Sequence, residues 1–498
     1  MEPSRLLIFI VAYNAEKHIE KVLDRIPKEK LDKYDYEILI IDDQSKDSTF
    51  ERALAYQKAH PELNLTVLYN PQNQGYGGNQ KLGYHYAKIH NFEVVLLLHG
   101  DGQYAPEEFD RLVLPIVEGD ADAVFGSRML NKKDALKGKM PYYKFVGNII
   151  LTKMQNRILG THLSEFHSGY RAYRVASLNR LPIERNSNDF HFDTQIIIQL
   201  VLGMMKIHEV PIPTHYGDEI CYVNGIEYAY NIIKASIHSK FVKMGIFYKR
   251  EYDMQPYEDT YTIKKEYASV HSLVLTLIPE HSKVLEISEN KDLMSRMLSQ
   301  KGCKVTCANP NTNKSNGNEF IFFKNNSDEK CFPEVDQFDS ITLLDWIETS
   351  DSPELFLDEL RQYCKLSSIA ILVSSGNIGF FITRFQLLVG EFNYSKKGIL
   401  DLKHKRLFTL KSLIKLCNQS GLTVEKIFSL PAPYPEALGI SFLSRVLLSI
   451  NKMLIYLSRG LFAYEYLLIL KAIPTVQHLI KYSINETRKK ESNLSLTL

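Results

Sequence analysis

The run HGDGQY, His99 to Tyr104, sets an imidazole, a carboxylate and an amide at alternating positions: His99, Asp101 and Gln103. Oxygen-rich donors at such spacing suit a hard divalent cation, and a hard cation suits a diphosphate. The run follows VVLLL, Val94 to Leu98, an apolar stretch of the length of a buried strand, so the cluster lies where a strand stops. A solvated turn holds the same residue types, so the triplet carries weight only if other polar clusters converge on it.

The elements that would bring them together are legible upstream. LLIFIVAY, YEILIID, LTVLYN and VVLLL are nearly unbroken apolar runs, as parallel strands covered on both faces must be. Between them the pattern predicts helices from about Ala15 to Arg25, from Ser48, and from Asn79, with Asn14, Ser45 and Asp47 as N-cap oxygens. A doubly wound sheet binds ligands beyond the carboxyl ends of its strands, and VAYN, IDDQS, YNPQNQGYGGN and HGDGQ all fall there. Gly75, Gly77 and Gly78 would sit just before the third helix, where bare backbone can approach a sugar or phosphate. For Asn14 an N-cap and a ligand contact are equally open, and for the glycines a flexible turn is the plain alternative.

At 498 residues the chain is too long for one core. Its 45% hydrophobic and 24% charged residues and net charge of +2 describe a globular protein and exclude a nucleic-acid binder or a disordered polymer. Cys221, Cys303, Cys307, Cys331, Cys364 and Cys417 lack zinc-site spacing, and Cys303 and Cys307 flank a strand-like KVT in which they pack. MEPSRLLIFIVAYN has no small-residue cleavage site and reads as a first buried strand, which places the protein in the cytoplasm.

The polar, Tyr/Glu/Lys-rich stretch 247–268 reads as a linker between a first unit, 1–246, and a second, 269–480, with 481–498 as a frayed tail lacking aromatic anchors. In the second unit KVLEIS, KVTCAN, EFIFF, SITLLDW, IAILVSS, LTVEKIF and YLLILK are predicted strands, with helices from about Asp292, Glu354 and Leu410. The longest apolar segment, from Ile440, is broken by Arg445, Lys452, Arg459 and Glu465 and reads as a helix followed by a core strand. The segment from Ile226 carries Lys234, Lys240, Lys243, Lys249 and Arg250 among apolar residues, as either an interfacial helix or a domain-packing helix with a solvated basic face would.

In order along the chain, VAYNAEKHI, IIDDQSKDST, NQGYGGNQKLGYHYA, HGDGQYAPEEF, FGSRML, SEFHSGYRAYR and FHFDTQI resemble the motifs of family 2 glycosyltransferases, and among these the polyprenyl-phosphate glycosyltransferases. The resemblance covers roughly residues 5–220 and implies an α/β, GT-A nucleotide-sugar-binding domain. It implies that Asp43 and Asn14 line the nucleotide pocket with Gly77 and Gly78, that Asp101, His99 and Gln103 hold a divalent metal, Mn or Mg, and that Arg128 and Arg171 face phosphates. His99 stands where the family commonly has an acid, which thins the negative charge and, since imidazole suits manganese better than magnesium, tilts the choice of ion. The implied partners are a nucleotide-diphosphate sugar and a polyprenyl phosphate or glycan acceptor, with peripheral membrane contact at the inner face. A phosphate acceptor needs no strong base; a hydroxyl acceptor needs a carboxylate, for which Asp193 and Glu165 are the candidates. Asp193 could equally cap the helix that follows it.

The second unit resembles a Rossmann-like class I methyltransferase domain on KVLEIS, QFDSITLLDWIE, GILDLKHKRLFTLKSLIKLCNQSGLTVEKI and FAYEYLLIL. Glu286 and Asp345 remain from that pattern, but the turn where the cofactor would approach, Ser288 to Asp292, has no glycine, and Asn309 stands where an acid is usual. A degenerate domain with little or no affinity for S-adenosylmethionine is expected, retained to hold an acceptor, a partner or a second copy. Two further readings stay open: a bifunctional glycosyltransferase and methyltransferase, and a non-catalytic scaffold binding glycan or protein. Neither the sugar nor the oligomeric state is fixed by the sequence.

Overall fold

The computed structural model describes residues 3–138, 140–213, 224–243, 247–252, 266–288, 293–309, 320–322, 337–364 and 369–495. The chain divides into two compact units, one made of Met1–Val242 and Lys249–Glu258, the other of Lys243–Tyr248 and Asp259–Leu498. Most of the expected linker lies outside the described residues.

The first unit is built on strands β1 (Arg5–Ala12), β2 (Asp35–Asp42), β3 (Leu65–Tyr69), β4 (Val94–His99), β5 (Ala123–Ser127), β6 (Arg171–Arg174) and β7 (Ile207–Pro211), in the order β3-β2-β1-β4-β6-β5-β7. β1 pairs in parallel with β2 and β4, while β6 runs antiparallel between β4 and β5. The pleat sends Leu6, Ile8 and Ile10 into one core and Leu7 and Phe9 into another, which is why the strand is apolar at every position. Helices α1 (Ile19–Asp24), α2 (Thr49–Ala59), α3 (Gly75–Ile89), α4 (Phe109–Val117), α5 (Tyr142–Leu159), α6 (Phe192–Leu202) and α7 (Gly225–Lys243) complete the unit.

Two helix starts differ from expectation. The first helix begins at Ile19, not Ala15, and its N-cap position is His18, without a side-chain cap. Asn14 instead ties two turns together: its backbone N–H donates to Ser45 Oγ (2.8 Å) and its Oδ1 accepts from Lys46 N (2.9 Å). Ser45 and Asp47 do not occupy the N-cap of α2, which is Ser48. The third helix begins at Gly75, so the glycines form its first turn and are not a loop before it.

In the second unit, strands β8 (Lys283–Ile287), β9 (Lys304–Asn309), β10 (Phe320–Phe322), β11 (Ser340–Leu343), β12 (Ala370–Gly376), β13 (Leu422–Leu430) and β14 (Glu465–Ala472) stand in the order β10-β9-β8-β11-β12-β14-β13. β14 is antiparallel to both neighbours. Helices α8 (Val270–Leu277), α9 (Leu293–Gln300), α10 (Pro353–Tyr363), α11 (Phe381–Leu388), α12 (Leu410–Gln419), α13 (Phe442–Leu457) and α14 (Val476–Ser495) accompany them. The segment from Ile440 is a helix followed by a core strand, as expected. Of the expected tail, residues 481–495 belong to α14, where Val476, Leu479, Ile480 and Ile484 carry helical spacing into the polar residues, and the rest lies outside the described residues. Among the described residues no helix is long and apolar enough to cross a membrane.

Candidate active site

The carboxyl ends of β1, β2 and β4 meet at one edge, where Val11 is in register with both Ile41 and His99 and Ala12 with Asp42. Asp42 and Asp43 are both buried there. Asp42 Oδ1 accepts from Ser45 N (2.9 Å), while its Oδ2 has no partner and burial raises the pKa of the carboxyl. Asp43 Oδ1 accepts from Asn70 Nδ2 (2.8 Å) and Gln74 N (2.9 Å), which fixes the loop after β3 and leaves Oδ2 unbonded among the described residues. That free oxygen is the feature a base or ribose donor would use.

At the end of β4, Asp101 accepts a hydrogen bond on Oδ1 from Gln103 N (3.0 Å) across Gly102, whose φ of 77° makes the tight turn. Gln103 therefore holds Asp101 through its backbone, and its amide stays out of that bond. His99 lies behind the turn. Its Nε2 is 3.2 Å from the Tyr76 hydroxyl, and that hydroxyl donates to Asp193 Oδ2 (3.0 Å). Since tyrosine has one proton and gives it to the carboxylate, Nε2 of His99 must be the donor in the first contact, and Nδ1 keeps the lone pair. Burial lowers the His99 pKa further than Asp101 and Asp193 raise it, so the ring is neutral. A neutral imidazole with a lone pair on Nδ1, two residues along the chain from the Asp101 carboxylate, is of the donor types a divalent cation takes. The set is sparse: among the described residues no group of three His, Cys, Asp or Glu could hold a metal ion.

Asp193 stands in the first turn of α6, whose N-cap position is His191, so it does not cap the helix. It also accepts from Gln80 Nε2 (3.2 Å) and lies 3.6 Å from Arg171. Tyr76 and Gln80 are the residues sequence reasoning missed. They sit four apart on α3 and so share a face, a signal hidden by starting the helix at Asn79. Gly169 is the third: a Cβ there would lie 2.5 Å from His99 Nε2 and 2.9 Å from the Tyr76 hydroxyl, so this glycine makes room for the imidazole.

The glycines of α3 have a different task from the one expected. The N–H groups of Gly77 (2.7 Å) and Gly78 (3.4 Å) donate to the Asn188 carbonyl, and a Cβ on Gly77 would meet Ser187 O at 2.6 Å and Phe192 Cβ at 2.7 Å. They let α3 close onto the loop before α6, and their amides are spent there. The arginines are likewise turned to the protein. Arg171 is fully buried, donating to the carbonyls of Ser168 (2.7 Å), Phe166 (2.9 Å) and Asp193 (3.2 Å). Arg128 pairs with the buried Glu165, which also accepts from Asn148 Nδ2 (2.8 Å). Burial alone would raise the Glu165 pKa, but Arg128 outweighs it and holds the carboxyl below its usual range, which disarms Glu165 as a base.

The chain is similar to known proteins over each of its two units. The model of glycosyl transferase family 2 matches residues 7–181. Residues 7–181 are a family 2 glycosyltransferase domain. A methyltransferase domain model matches residues 260–427. The chain is 27% identical over 228 residues to the UDP-N-acetylglucosamine–dolichyl-phosphate N-acetylglucosaminyltransferase of Methanococcus voltae, covering 44% of this chain and 88% of that protein. It is 25% identical to the polyprenol monophosphomannose synthase of Mycolicibacterium smegmatis, covering 42% and 76%. A solved structure of glucosyl-3-phosphoglycerate synthase from Mycobacterium tuberculosis with uridine diphosphate is similar at 18% identity and a TM-score of 0.37, covering 48% of this chain and 80% of that one. The first α/β unit thus carries the glycosyl transferase family 2 match and the second the methyltransferase domain match.

Proposed function

We propose that the first unit transfers a sugar, with inversion, from a nucleotide-diphosphate donor to a polyprenyl phosphate in the synthesis of envelope polysaccharide or a glycoconjugate. The relatives named above support the acceptor class. The observation that carries it is the state of the carboxylates: Glu165 is ion-paired, and Asp193 already accepts from Tyr76 and Gln80 beside Arg171. Neither is placed to take a proton from a hydroxyl, whereas a phosphate oxygen arrives already anionic. In the reaction that oxygen forms the new bond to the anomeric carbon as the bond to the nucleoside diphosphate breaks, and the electron pair leaves with the diphosphate.

Asp43 would bind the nucleoside from the end of β2. Asp101 and His99 would hold a divalent cation, manganese or magnesium, whose charge offsets that of the diphosphate. Arg128 and Arg171 would serve by their field and by fixing the 165–171 loop, since their guanidinium groups already bond the protein. Peripheral membrane contact fits α7, which turns Tyr228 onto His167 (3.0 Å) and exposes Ile226, Tyr230 and Ile237 beside Lys234.

Purified protein given a panel of nucleotide sugars, a short-chain polyprenyl monophosphate and Mn²⁺ should form one glycosyl phospholipid by mass spectrometry. Asp101→Ala should lower the rate about 100-fold or more. Transfer to a glycan hydroxyl but not to the lipid phosphate would overturn the acceptor assignment.

A further inference from the structure

From Gly439 to Tyr464 the chain contains no acidic residue, yet it carries Arg445, Lys452 and Arg459. Most of this stretch is α13, and the helix is amphipathic in an inverted sense. Ser444, Asn451 and Ile455 point into the unit, with Asn451 Oδ1 accepting from Ala432 N (2.9 Å) and its Nδ2 donating to Phe462 O (2.9 Å). The opposite face is apolar and open: Phe442 is 84% exposed, Met453 61%, Tyr456 90% and Leu457 76%, with Leu443 and Ile450 also exposed. At 100° per residue, Phe442, Leu443, Ile450, Met453 and Leu457 fall within one stripe about 100° wide, with Arg445 and Lys452 along a single border of it.

The geometry points to α13 as a membrane-binding element of the second unit, whose apolar stripe enters the boundary between headgroups and acyl chains while Arg445 and Lys452 meet anionic phospholipid headgroups. Charge selects this occupant. Self-association about a two-fold axis would bring the basic border of Arg445 and Lys452 against the same border in an antiparallel pair, or against the acid-free opposite border in a parallel one, with no acid in the stretch to answer it, whereas a negatively charged lipid surface answers these cations. The inner face is equally instructive: Ser444, Asn451 and Ile455 are the buried residues there, while Phe442, Leu443, Ile450, Met453, Tyr456 and Leu457 face out, an arrangement suited to an apolar medium outside. This inference concerns the second unit and needs no particular sugar or acceptor.

The test is flotation of the full chain with vesicles of phosphatidylcholine alone or with about a third phosphatidylglycerol, for wild type and Phe442→Glu/Met453→Glu. Both changed side chains are exposed, so the fold should persist, which circular dichroism checks. The expected result is binding of wild type to the anionic vesicles, weakened by salt, and a drop of about tenfold or more in partitioning for the variant, with transfer to a short-chain, water-soluble polyprenyl phosphate unchanged. Equal partitioning of variant and wild type would overturn the inference. So would sedimentation showing a wild-type dimer that the variant dissolves, because a second copy would then cover the stripe.

Discussion

A single hydroxyl decides which nitrogen of His99 is free. Tyr76 donates to Asp193 Oδ2 and receives from His99 Nε2, so Tyr76→Phe removes both contacts while keeping the ring that stacks on Phe190. Manganese affinity, read by electron paramagnetic resonance, and the transfer rate are both expected to fall about 10- to 100-fold, with little change in melting temperature. An unchanged manganese affinity would remove Tyr76 from the role of positioning residue. Titration gives a second handle on the same region. Burial lowers the pKa of His167 from 6.5 to about 4, and that of His99 is lowered as well. At His167 the unfolded chain therefore binds more protons than the native one in this window, so His167 contributes stability that is complete above pH 6.5 and lost as pH falls toward about 4. His167→Asn should flatten the decline in melting temperature between those values. The sequence offered His99, Asp101 and Asp193 as candidate site residues one by one. It did not show the tyrosine linking two of them, because that contact joins residues 117 positions apart.

Among the elements, α3 and α5 test what glycine does in a helix. Gly77→Ala would push a methyl group into Ser187 and Phe192, and overpacking of that kind costs about 1–3 kcal/mol, read by urea denaturation. Because Gly77 adjoins Tyr76, the rate of transfer should fall as well. Gly147, in α5, has nothing within 4 Å of where its Cβ would stand, so Gly147→Ala should stabilise by up to about 1 kcal/mol through helix propensity alone. Eleven of the fourteen described strands were legible, chiefly because buried parallel strands are nearly unbroken apolar runs; β5, β6 and β7 were not named, and β6 (RAYR) and β7 (IHEVP) mix polar with apolar residues. Helix starts were less legible. The residues chosen as caps, Asn14, Ser45 and Asp47, do bond backbone N–H groups, but largely those of neighbouring turns: Asp47 Oδ2 accepts from Glu16 N (3.2 Å) while its Oδ1 accepts from Thr49 N (3.1 Å) at the start of α2, and Asn14 accepts from Lys46. Residue type announced a turn without saying which turn it would serve.

At the scale of the whole chain the open question is why a glycosyltransferase carries a methyltransferase-type unit. The strand order, with its antiparallel β14 between β12 and β13, preserves the architecture, and the core on both faces of β11 and β12 is filled by Ile341, Leu343, Ile371 and Val373 on one side and Leu372 on the other. Cofactor binding makes a separate demand. A glycine-rich turn after the first strand lets the methionine end of S-adenosylmethionine lie against backbone, and here the chain reads Ser288-Glu289-Asn290-Lys291-Asp292, of which all but Ser288 lie outside the described residues. None of these residues is a glycine, and position 309 holds an asparagine where the pattern usually has an acid. Calorimetric titration of the full chain with S-adenosylmethionine should therefore show no binding at micromolar concentration. Replacing 289–290 by glycines should not by itself restore it, because the missing acid at 309 is independent of the turn. Micromolar binding by the native chain would make the second unit an enzyme in its own right, and the pairing of sugar and methyl transfer in one polypeptide would then be catalytic at both ends.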